Sequence, residues 1–176
     1  DRLFIEHYFS ASEFSNYVYY SLLVLYPFNF LQNYLGFKFL VEFKQVKSFK
    51  NLIEKYTKLL VWISIGFVIL IYSFNYIVYR LTNNDFLNYK TLTFLFFLIG
   101  IVKIFYSIYS SLIGAQSDLK LLKLLNKFYF VIIFIVGFFI LIFPIDSIEM
   151  IAFIYLLLWL SRLFLWKSFS KTIINN

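Results

Sequence analysis

Cysteine is absent from the 176 residues, which excludes a disulfide framework and any thiolate metal site. Histidine occurs once, as His7 beside Glu6, with no second imidazole and no HExxH spacing, so it reads as an interfacial side chain and not a metal ligand. No GxSxG, Walker or glycine-rich phosphate loop is present. Acidic residues number nine against 16 Lys plus Arg, and no Asp or Glu stands at the centre of an apolar run. Asp146 and Glu149 resemble a carboxylate pair, but their place after Pro144 reads as a helix start, with acid at the positive end of the helix dipole. These absences leave no catalytic constellation, no metal site and no cofactor site to expect.

What the chain does have is apolar length. Hydrophobic residues make up 62% and mean hydropathy is +0.81, far from a soluble composition. Five runs reach the roughly 20 residues that a bilayer requires: residues 17–40, 59–79, 91–113, 124–143 and 148–166. Residues 1–9 read as the tail of a further helix and residues 10–16 as a polar turn. The prediction is an all-α, polytopic transmembrane bundle of five complete spans plus a partial first helix, forming a single domain over residues 1–176. The first residue is Asp and the sole Met is Met150, so the chain reads as a piece of a longer protein with no signal peptide before its first span.

Charge sets the predicted orientation. Lys38, Lys44, Lys47, Lys50, Lys55 and Lys58 lie at the first loop, Lys120, Lys123 and Lys127 at the third, and Arg162, Lys167 and Lys171 near the C-terminus. Only Arg2, Arg80 and Lys90 fall on the other side, which places the C-terminus in the cytoplasm. The net charge of +7 therefore belongs to loops at the lipid headgroups and predicts no nucleic-acid partner. Within residues 42–58, Val46, Phe49, Ile53 and Tyr56 recur at helical spacing among lysines, which predicts an amphipathic helix lying on anionic lipid. The fourth span is apolar all round and reads as the most lipid-exposed. Arg162, near the end of the fifth, is expected to snorkel to the headgroups.

The candidate site is intramembrane. Lys103 stands mid-span, where a cation costs about 2.5–3.5 kcal/mol on insertion scales. Gly100, Lys103, Ser107, Ser110 and Gly114 recur at spacings of three and four and share one helix face, leaving the Phe, Leu and Ile side for lipid. On the first span, Pro27 predicts a kink, and Asn29, Gln32, Asn33 and Gly36 form a second polar stripe. Ser64, Gly66, Ser73 and Asn75 make no clean line on the second. Two readings of Lys103 stand side by side: a fixed charge on an anion path, or a group that is neutral or paired with a carboxylate from a missing segment and holds helices together. For Asn29, Gln32 and Asn33 the choice is between lining a cavity and bonding across helices.

Residues 1–25, DRLFIEHYFSASEFSNYVYYSLLVL, resemble the middle of the O-antigen and teichoic-acid type of lipid-linked oligosaccharide flippases. There an Asp-Arg pair ends one helix and a hydrophobic-acidic turn leads into an aromatic helix. Residues 108–127, IYSSLIGAQSDLKLLKLLNK, are similar to the loop where a small-residue helix end and Gly-Ala-Gln precede a basic run. Gly36-Phe37-Lys38 stands where that family usually has Pro. The resemblance implies the C-terminal six-helix lobe of a two-lobe exporter in a bacterial inner membrane. Its substrate would be an undecaprenyl-diphosphate-linked sugar unit for surface polysaccharide. Lys103, Ser107, Ser110, Asn29, Gln32, Asn33 and Arg2 would line the cleft, and a missing N-terminal lobe or a second copy would complete it. The rivals are a drug or cation antiporter of the same superfamily, a non-catalytic membrane scaffold, and an integral-membrane transferase subunit.

Overall fold

The computed structural model describes residues 5–6, 9–46, 49–82, 89–142 and 145–175, and these contain helix and no strand. Five long helices follow in order: α1 (Ala11–Gln45), α2 (Phe49–Thr82), α3 (Lys90–Gln116), α4 (Leu119–Ile142) and α5 (Ile148–Asn175). Four of them, α2 to α5, are long and apolar enough to cross a membrane. α1 is long enough at 35 residues, about 52 Å. Its tyrosines and amides (Tyr17, Tyr19, Tyr20, Tyr26, Asn29, Gln32, Asn33, Tyr34) keep it out of that set.

The helices begin and end where side chains satisfy free backbone groups, not where apolar runs stop. The predicted polar turn at residues 10–16 is instead the start of α1. Ser10 caps it, the Glu13 amide donating to the Ser10 hydroxyl while the Ser10 hydroxyl and N–H both donate to the Glu13 carboxylate, at 3.3, 2.7 and 3.0 Å. The hydroxyl bond first, and the amide bond second, hold that carboxyl below its ordinary range. The predicted lysine-rich loop after residue 113 shrinks to a break at Ser117 and Asp118, because Asp118 accepts from the Leu121 amide at 2.8 Å and starts α4 at once. Ser147, not Asp146, caps α5, accepting from Met150. The polar tail stays helical to Asn175.

The predicted amphipathic surface helix over 42–58 does not form as a separate element. Residues 42–45 end α1 and residues 49–58 begin α2, with Val46 extended between them. The apolar stripe that suggested a lipid-facing helix is used up in packing: Phe39 meets Tyr56 at 4.5 Å and Phe43 meets Phe49 at 6.3 Å, with Ile53 and Tyr56 buried.

At the centre is α3. In its most apolar stretch 67% of residues are buried by other helices, against 17% for α2, 6% for α4 and 22% for α5. Of these four helices α4, expected to be the most lipid-exposed, is the least covered by the rest of the chain. The reading of α3 as half lipid-facing does not hold, because Phe96, Ile99, Ile104, Ile108 and Leu112 are all fully covered. The largest interface joins α1 to α3, and the next joins α3 to α5.

Four polar bonds stitch α1 to α3. Asn16 donates to the Tyr89 hydroxyl at 2.8 Å, Lys103 to Asn29 at 2.7 Å, Ser111 to the Gly36 carbonyl at 2.7 Å, and Gln116 to the Phe43 carbonyl at 2.7 Å. The partners are 73, 74, 75 and 73 residues apart, a near-constant offset that only parallel helices in fixed register can give. Between the first two bonds Gly100 leaves room for an aromatic ring of α1. Phe28 packs against Gly100, where an added Cβ would sit 2.4 Å from two ring carbons. α1 continues through Pro27 as one helix.

Candidate functional site

Lys103 sits where α1, α3 and α5 meet. Its side chain is only 5% exposed, yet it opens on a cavity of about 360 Å³ lined by Ser21, Leu22, Leu25, Tyr26, Asn29 and Tyr155. The ammonium donates one bond, to Asn29 Oδ1. It also stands 4.6 Å from the ring centre of Trp159 and 5.6 Å from that of Tyr155. Among the described residues no carboxylate pairs with it. An ammonium carries three N–H donors, so one amide oxygen and two aromatic faces leave donor capacity turned toward the cavity. Aromatic faces contribute about 0.5–2 kcal/mol each to holding a cation, which offsets part of its dehydration without neutralising it. The result is a buried ammonium beside an open cavity, held by one neutral amide and two rings.

A second cavity, also about 360 Å³, lies further along the same seam. Gln32, Asn33, Gly36, Phe37 and Leu40 of α1 and Ser107, Ser110 and Ser111 of α3 line it. The predicted residues thus divide into two groups. Asn29 and Lys103 meet in the first cavity, and Gln32, Asn33, Ser107 and Ser110 meet in the second. Two hydroxyls face their own helix, Ser107 donating to Ile104 O at 2.6 Å and Ser110 to Ser107 O at 3.2 Å. Arg2 lies outside the described residues, as does His7. On α2, Ser64 and Asn75 turn inward while Gly66 and Ser73 face outward, so no polar stripe forms there.

The sequence reading missed Ser111, Tyr155, Trp159 and the setting of Arg162. The Ser111 hydroxyl lies 2.7 Å from both Ser107 O and Gly36 O and shares its one proton between its own helix and α1, a tie across helices. Ser111→Ala should cost about 0.6–2 kcal/mol of stability, read as an earlier unfolding transition in detergent, while Ser110→Ala should leave it unchanged. Arg162 does not reach for headgroups. Four rings surround its guanidinium: Tyr106 and Tyr129, which α3 and α4 bring to it, and Trp159 and Trp166. The two tryptophans recur with Tyr155 and Arg162 at spacings of four, three and four on one face of α5. That aromatic stripe with a cation inside it was visible in the sequence.

Four helices apolar enough to span, packed around a central polar seam, place the chain in the class of multi-pass helical membrane proteins. No family model, curated protein or solved structure matches it.

Proposed function

We propose that the protein is a membrane flippase or exporter that carries an undecaprenyl-diphosphate-linked oligosaccharide repeat unit across a bacterial inner membrane for surface polysaccharide assembly. One observation supports this above the others: Lys103 is a membrane-embedded cation that opens on a cavity and has a neutral amide, not an acid, as its hydrogen-bond partner. A group placed only to hold helices together would be expected to meet a carboxylate, since an unpaired charge in hydrocarbon is costly. A proton- or sodium-coupled antiporter would need an intramembrane carboxylate, and no span has one at its centre.

In this reading the anionic linkage of the substrate docks at Lys103, and the amide and hydroxyl cavity formed by Gln32, Asn33, Ser107 and Ser110 receives polar groups next to it. α1 serves as the fifth span, its polar residues turned onto α3 and the cleft. The basic helix ends face the cytoplasm, and a further lobe or a second copy closes the open side. The test is genetic. Removing the gene should abolish surface polysaccharide and leave the lipid-linked repeat unit accumulating on the cytoplasmic face, and the intact gene in trans should reverse both. Unchanged surface polysaccharide in the null strain would overturn the reading.

A further inference from the structure

The other cation inside the bundle is Arg162, and neither cavity has a use for it. Its guanidinium carbon lies 4.7 Å from the ring centre of Tyr106, 5.0 Å from Tyr129, and 5.2 Å from both Trp159 and Trp166. Three helices, α3, α4 and α5, each supply at least one ring to this box. Its Nε is buried without an acceptor. Trp159 is shared: Lys103 packs on it at 4.6 Å and Arg162 at 5.2 Å. The two cations therefore lie within about 10 Å of each other, close enough to repel strongly where water is excluded. Arg162 does not line the cavity at Lys103. It is held across the shared Trp159 ring from Lys103 and outside the lining of that cavity.

An arrangement that forces two like charges together, with no acid beside them among the described residues, is costly when empty, and a ligand with two negative charges relieves it better than a ligand with one. The attraction scales with the product of charges, so a fixed cation across the ring adds twice as much for a dianion as for a monoanion. We infer that Arg162 is a specificity-determining charge that makes the Lys103 cavity select ligands whose phosphate or diphosphate moiety carries two negative charges over those that carry one. This rests on the reading of Lys103 as an anion-binding group.

The test is calorimetric titration of the protein in an uncharged detergent at pH 8. The probes are methyl phosphate, a dianion, and dimethyl phosphate, a monoanion of nearly the same shape. The wild-type protein should bind methyl phosphate about tenfold more tightly than dimethyl phosphate. Arg162→Gln should bring the two affinities together, chiefly by weakening methyl phosphate, whereas Arg162→Lys should keep the preference. A short prenyl phosphate separates the sources of the dianion. If the natural ligand is lipid-borne, the prenyl chain raises affinity in every variant; if it is a free phosphate, the chain adds nothing. The factor lost in Arg162→Gln is the same in both cases. Retention of the wild-type preference in Arg162→Gln overturns the inference and leaves Lys103 as the anion site. Equal binding of both probes by the wild-type protein overturns it too, without recourse to any variant that misfolds. Failure of both probes to bind, or binding that survives Lys103→Ala, overturns the anion reading itself and the inference with it.

Discussion

Lys103→Ala is expected to abolish export of surface polysaccharide while the protein still inserts at its normal level. Opposing contributions decide that outcome. The variant loses the bond to Asn29, a contact of about 0.6–2 kcal/mol between membrane helices, and the cation–π contacts with Trp159 and Tyr155. It also removes a mid-membrane charge that costs about 2.5–3.5 kcal/mol to insert. These nearly cancel, so abundance and unfolding temperature should change little. Function has no such compensation. A hydrogen bond to a charged group contributes about 1.5–3 kcal/mol, so an anionic substrate should bind roughly 10- to 100-fold more weakly. Lys103→Arg should restore part of the activity and Lys103→Met none, since methionine keeps the stem and drops the charge. Export assays normalised to membrane-protein level decide the matter. Normal export from a normally abundant Lys103→Ala protein would sink the proposal.

The second large effect belongs to packing. Gly100→Ala should destabilise the bundle by about 1–3 kcal/mol, an overpacking cost, because the new methyl group would sit 2.4 Å from the Phe28 ring. The ring cannot simply swing away. Phe28 is fully buried, with Phe67 edge-on at 5.2 Å and Phe97 at 6.2 Å. The clash involves Cγ, the atom that anchors the ring, and not a flexible tip. Gly66→Ala and Gly137→Ala are the controls. An added methyl at either meets nothing within 4 Å, and alanine favours helix by up to about 1 kcal/mol. Denaturant titration in mixed micelles should rank Gly100→Ala well below both. Equal stability of the three would show that the α1–α3 contact yields more readily than its geometry implies.

The helices were legible in the sequence wherever a long apolar run was the whole signal, as in α4. Their ends were not, because Ser10, Asp118 and Ser147 set three of the starts by capping, and a cap extends or cuts a helix without regard to hydropathy. The meeting of Lys103 and Asn29 was foreshadowed by two polar stripes, each readable as one helix face. Which stripe faced which could not be read, since register between helices depends on contacts such as Phe28 on Gly100 that spacing along one helix does not encode. Arg162 was misread for a related reason. Its position near a helix end suggested escape to water, but rings from α3 and α4 arrive only through tertiary packing.

The four bonds of constant offset between α1 and α3 have a mechanical consequence. To shift one helix along the other by a single turn, about 5.4 Å, all four would have to break together, and Phe28 would have to leave its seat on Gly100. The pair therefore behaves as a keyed beam, rigid along its length, that carries Lys103 and both cavities without altering the spacing between them. In the proposed transporter, rocking that alternately opens the two membrane faces would carry the beam as a unit against whatever closes its open side. Among the described residues, α2 and α4 pack on the rest of the bundle far more thinly than α1 does on α3.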